Sequence, residues 1–435
     1  MLSEQLIKLV RSKTISAEDL QRASIFTLDA IANALAGRNT IPGRKLLQWG
    51  SRQGSDPGRR AFVAGGLTHI LETDDLHRAS VTHPGCVVPP AVFCLAEREG
   101  SNGMAVLTAI LQGFEAMCRV GMAVGPAHYK IWHNTATCGP YGSAVASASL
   151  LGLSDEQTMH AFGNAGTQSA GLWQFLETGA MSKHLHAGRG AEAGIVAADL
   201  AALDFTGPPE ILEGAKGFFA ATCADANPAA VLADSNAPWQ LTLTSIKPWP
   251  SCRHTHPGID AALELHELLA GRDIASIYVE AYQAALDVCD RPDPKSEYEA
   301  KFSIHHCVAA ALADGDVKFA SFTPEVRAEL AGLRGRTTIA ATEPYVSDYP
   351  QAWGSKVTVT TADGEVLSSQ RNGARGDPEL ALSDDEMVVK AHTLLAFAGY
   401  DRAQAQVIIE GVLALPDNRS ESSEFIAYIC GQLRL

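Results

Sequence analysis

Residues 187–203 read AGRGAEAGIVAADLAAL, and Arg189, Glu192 and Asp199 are the only charges in the stretch. Three charges cannot cover a solvent-facing helix of this length. The small side chains instead allow helix axes to approach closely. The neighbouring runs GSAVASASLLGL (142–153) and AFGNAGTQSAGL (161–172) have the same character. Together they predict a tightly packed helical core.

The helical pattern extends upstream. SAEDLQRASIFTLDAIANALAG (16–37) opens on Ser16 with Asp19 three residues on, as a capping box does. Ile25, Leu28, Ala32 and Leu35 recur at helical spacing, and Gly37 stands where the helix should stop. AVLTAILQGFEAMCRVGMAVG (105–125) is apolar on most sides and reads as a buried helix.

Near residue 245 the character changes. SIYVEAYQAALDVC (276–289), RTTIAATEP (336–344) and SKVTVTTADGEVLSSQ (355–370) carry β-branched residues, with alternation clearest at Val357 and Val359. Asp363-Gly364 signals a hairpin turn. Helical segments fall around 257–269 and 303–314. After DPELALSDDEMVVKAHTLLAF the chain turns helical again, with Ser383 and Glu386 as a further capping box. The expected fold is mainly α with a smaller α+β domain. It runs as a helical domain over 1–243, an α+β domain over 244–382, and helices over 383–435 that return to the first.

The chain has 435 residues, more than one ordinary core accommodates. Its 46% apolar and 19% charged residues are those of a globular protein. A formal charge of −15 argues against a polyphosphate partner and so against nucleic acid. Residues 1–12, MLSEQLIKLVRS, lack a signal-peptide pattern, and no run of about 18 apolar residues occurs, which argues against a membrane partner. Nine scattered cysteines without a C-x-x-C pair fit reduced thiols in a cytoplasm.

Four polar islands interrupt this apolar chain. They are ILETDDLHRASVTHPG (70–85), IWHNTATCGPYG (131–142), GAMSKHLHAGRGAEAG (179–194) and KPWPSCRHTHPGIDAAL (247–263). His184-x-His186 and His254-x-His256 look like metal-ligand pairs, but residues two apart on a helix point about 200° away from each other. No G-x-S-x-G, Walker motif or strand-to-helix G-x-G-x-x-G is present, and Gly188-Arg189-Gly190 lies in helical sequence. What remains is acid–base chemistry on an anion. Lysine and arginine would hold carboxylates while histidines move protons.

These islands resemble the MmgE/PrpD family, as do GPPEILEGAKGF, KFSIHHCVAAALADG and GDPELALSDDEMVVKA, all in the family's order from about residue 10 to 430. That family includes 2-methylcitrate dehydratase, cis-aconitate decarboxylase and iminodisuccinate epimerase. The resemblance implies a large helical domain, a smaller α/β lid domain, a homodimer, no cofactor or metal, and small di- and tricarboxylate substrates. It implies catalytic roles for Asp74, Asp75, His83, His133 and Lys183. Substrate contacts would come from Glu72, Arg253, His256 and His306. The family's first Asp is Glu72 here, its aromatic is Thr73, its Thr is Leu76, and its lid Tyr is replaced within His305-His306. These departures bear on the substrate, because a site that bonds a hydroxyl rejects analogues lacking it.

The expected function is therefore a cofactor-free lyase, a dehydratase first, that abstracts an α-proton from a polycarboxylate. An epimerase or a decarboxylase would share that first step. A non-catalytic binding protein is the alternative from another class.

Overall fold

The computed structural model describes residues 1–434 apart from 53, 55 and 418–420. It divides into two compact units, Met1–Ile246 with Ser383–Leu435, and Lys247–Leu382.

The first unit is helical. Its centre is the Ser182–Ala202 helix, packed against Asn134–Leu150 and Pro57–His69. A Cβ on Gly194 would come within 2.2 Å of Ser143 Oγ, so the alanine- and glycine-rich sequence sets the spacing of these axes. Ser143 Oγ also donates to Gly190 O across the same contact at 2.6 Å.

Helix Gly103–Ala123 packs on Asn134–Leu150 and is long and apolar enough to cross a membrane. Its buried charges mark it as a core helix: Arg119 Nε donates to Glu115 Oε1 at 2.7 Å, and Lys13 Nζ lies 3.1 Å from the same oxygen. The capping boxes at Ser16–Asp19 and Ser383–Glu386 are both formed. Helix Asp384–Phe397 packs on Ala17–Gly37, and its Lys390 donates to Thr73 O at 2.7 Å and to Asp29. The end of the chain thus anchors the acidic stretch near residue 73.

The second unit holds a four-stranded sheet in the order β2-β1-β3-β4. Its strands are β1 (Ile274–Ala281), β2 (Thr337–Ala341), β3 (Ser355–Thr361) and β4 (Val366–Arg371). β1 pairs with β2 in parallel and with β3 antiparallel; β3 and β4 form the hairpin turned at Asp363-Gly364. Burial alternates along β3, with Val357 and Val359 inward. Residues 276–289 are not one strand: β1 stops at Ala281 and Gln283–Cys289 is helical, since QAALDVC lacks the alternation of SIYVEA. Helices His256–Leu269 and Ile304–Asp314 pack together, and the first also covers β3 and β4.

Candidate active site

In the helical unit, three of the four islands meet. The Pro57–His69 helix ends at His69, and the chain then turns through Glu72, which adopts the left-handed conformation with φ 60°. A non-glycine residue held there signals local strain. Leu76 bridges to Ser245, and His77 to Thr82, closing the stretch into a loop.

The acids of that loop divide their work. Asp75 accepts the backbone N–H of Gly85 at 2.9 and 3.0 Å and so fixes the T-H-P-G turn. Asp74 Oδ2 accepts from His69 Nδ1 at 2.6 Å, which fixes that ring's orientation. Glu72 Oε1 meets Lys183 Nζ at 2.5 Å, and both side chains are buried, at 1% and 3% exposure. Thr73 donates its hydroxyl to Asn33 Oδ1.

His83 donates through Nδ1 to Asp75 O at 2.6 Å, and its backbone N–H reaches Thr135 Oγ1 at 3.0 Å. His133 caps the Asn134–Leu150 helix, and its Nδ1 lies 3.2 Å from His186 Nδ1. Its ring stacks on His69 with centroids 5.8 Å apart, and the His69 and His83 rings lie 4.7 Å apart. Lys183 and His186 are three residues apart on one helix, hence on one face. Leu185 between them is about half exposed. His186 also lines a cavity of about 690 Å³ together with Trp132, Gly171, Phe175 and Arg189.

Burial dominates the electrostatics. It holds His133 well below the ordinary imidazole value, helped by His186, His69, Lys183 and His83. Burial, then His69 and Lys183, pushes His186 down to about 4. These two imidazoles are neutral at pH 7 and can accept protons.

Gly171 is a structural key to this wall. It sits at φ 140°, and a Cβ there would meet Ala136 Cβ at 2.4 Å and the His186 ring at 3.3 Å. Its carbonyl accepts from the His133 backbone N–H at 3.0 Å. Gly171→Ala is expected to lower stability by more than about 1 kcal/mol and to disturb both histidines. Urea unfolding and a substrate-turnover assay on the variant check this, and native values in both would contradict it.

The fourth island lies in the sheet unit, where its candidates are engaged in other bonds. Arg253 donates to Asp377, to Ala374 O at 3.1 Å, to Arg375 O at 3.0 Å and to His256 Nδ1 at 2.9 Å. Its guanidinium thus joins a turn and a histidine. His256 donates its other nitrogen to Ser251 O at 3.2 Å. His306 donates to Ser321 O at 2.8 Å and accepts from Arg334 at 3.3 Å, and burial pushes it down to about 4. His305 faces Asp290 at 2.9 Å.

The sequence reading did not single out His69, and it named His186 only as half of the His184-x-His186 pair. His186 was legible from its three-residue spacing to Lys183. His69 was legible only as a histidine three positions before the acidic stretch.

Comparison with known proteins matches the model of the MmgE/PrpD N-terminal domain to residues 5–230 and that of the C-terminal domain to residues 249–415. The chain is 27% identical to the cis-aconitate decarboxylase-like protein oryM of Aspergillus oryzae, covering 98% of this chain and 95% of that protein. It is 25% identical to cis-aconitate decarboxylase of Aspergillus terreus, over 92% and 90%. It is 29% identical to human cis-aconitate decarboxylase, over 77% and 72%.

Proposed function

The chain belongs to the MmgE/PrpD family, and from that premise we propose that it is a lyase. It breaks a bond next to a carboxylate in a small di- or tricarboxylic acid and uses no cofactor. The observation that carries this reading is the buried group of His69, His83, His133 and His186 beside the Lys183–Glu72 pair. Lys183 holds a substrate carboxylate, and the histidines move the proton.

The similarity to cis-aconitate decarboxylases puts decarboxylation first. There the bond to the departing CO₂ breaks, its electron pair stays on carbon, and a proton donor of the site delivers a proton to that carbon. Dehydration, which the sequence alone put first, uses the same groups: a base takes the α-proton and an acid protonates the leaving hydroxyl. Epimerisation returns the proton to the opposite face. We also propose a cytoplasmic homodimer, for which light scattering is expected to give twice the 46.0 kDa chain mass.

A panel of citrate-, aconitate-, tartrate- and aspartate-like acids, followed by NMR with CO₂ detection, separates the reactions. CO₂ release from an aconitate-like acid is expected. An alkene without CO₂ would assign dehydration, and inversion without elimination would assign an epimerase. Binding of an acid with no conversion of any would overturn the lyase reading.

A further inference from the structure

We infer that His69, His83 and His133 form a binding site for a divalent transition-metal ion of the zinc type, and that its occupation switches off the site's proton transfer. The inhibitory part rests on the lyase reading; the binding part does not. One ligand atom from each of the three histidines lies within 4.8 Å of the other two, and all three residues are buried. The cluster draws on three separate stretches of chain, around residues 69, 83 and 133.

The orienting bonds are those that histidine ligands carry in metal sites. A ligating imidazole usually holds its other ring nitrogen against a carboxylate, a backbone carbonyl or another polar group. Here His69 Nδ1 is held by the Asp74 carboxylate at 2.6 Å and His83 Nδ1 by Asp75 O at 2.6 Å. His133 Nδ1 faces His186 at 3.2 Å. Among the described residues, the Nε2 atoms of His69 and His133 are buried without a hydrogen-bond partner. An unpartnered buried nitrogen costs free energy, and a metal ion satisfies it.

Binding requires His133 to donate through Nδ1 to His186, which leaves the Nε2 lone pair for the ion. Three imidazoles suit zinc and its neighbours, and a fourth position stays open for water or a substrate carboxylate. A ligated imidazole can no longer take or give a proton at that nitrogen, so the ion is an inhibitor that competes with protons.

The test uses the full chain freed of metal with EDTA and titrated with Zn²⁺ by calorimetry and with Co²⁺ by absorption. One ion per chain is expected, with Co²⁺ giving the intense d–d bands of low-coordinate nitrogen ligation. His69→Gln and, separately, Asp74→Asn are expected to weaken binding at least about 10-fold. Absence of stoichiometric binding, or a thiolate charge-transfer band placing the ion on cysteine, would overturn the site in the native chain even if a variant fails to fold. With the acid identified by the panel, Zn²⁺ is expected to stop turnover and EDTA to restore it. Full turnover with the ion bound overturns the inhibitory role, whereas a metal-free chain that converts no acid counts against the lyase reading alone.

Discussion

Lys183→Ala is expected to lower turnover by about 10²-fold or more, the scale of a lost proton-transfer or charge-stabilising group. Lys183 Nζ is buried against Glu72. Removing the ammonium leaves a carboxylate in a site with little water, and breaking such a pair costs about 3–5 kcal/mol of stability. Fold and function therefore need separate readouts. In Lys183→Met combined with Glu72→Gln, neither partner is left as an unpaired charge. Its thermal midpoint is expected to return toward the native value while turnover stays low. Turnover of Lys183→Ala within about threefold of native would remove Lys183 from the mechanism.

The second large effect is acid sensitivity. Burial pushes His77 and His306 down to about 4, and His254 down to about 3. Unfolded histidines titrate near 6.5, so between pH 6.5 and 4 the unfolded chain binds more protons than the folded one. Stability from these groups is complete above pH 6.5 and is lost as pH falls toward the folded values. For His77 and His306 the loss approaches about 3 kcal/mol each, a large share of a typical net stability of about 5–15 kcal/mol. His77 bonds Ser80 Oγ at 2.8 Å and His254 bonds Tyr282 at 2.7 Å, so both units carry such a group. Urea midpoints measured from pH 7.5 to 4.5 are expected to fall steadily below pH 6.5. A flat profile would contradict the buried, neutral state of these histidines.

Local features were legible in the sequence. The capping boxes, the buried helix near 105–125 and the Asp363-Gly364 hairpin all depend on residues within a few positions of one another. The strand order was not, because the parallel pairing of β1 with β2 joins segments about 60 residues apart. The site followed the same division. The islands marked Glu72, Asp74, His83, His133 and Lys183 as chemistry in an apolar chain. What each does depends on distant partners: Arg253 is claimed by Asp377, which is 124 residues away. Asp75, beside Asp74 in sequence, accepts the Gly85 N–H ten residues on. The Thr73 hydroxyl bonds Asn33, 40 residues away.

The central claim is that buried histidines beside Lys183 move a proton to or from carbon in a small polycarboxylate. Incubating the protein with cis-aconitate in D₂O and reading product and recovered substrate by NMR tests it most directly. The predicted result is CO₂ release with solvent deuterium on the carbon that receives the proton, abolished in step with turnover in Lys183→Ala. No deuterium in cis-aconitate, or in any other acid of the panel, with substrate recovered unchanged, would contradict it.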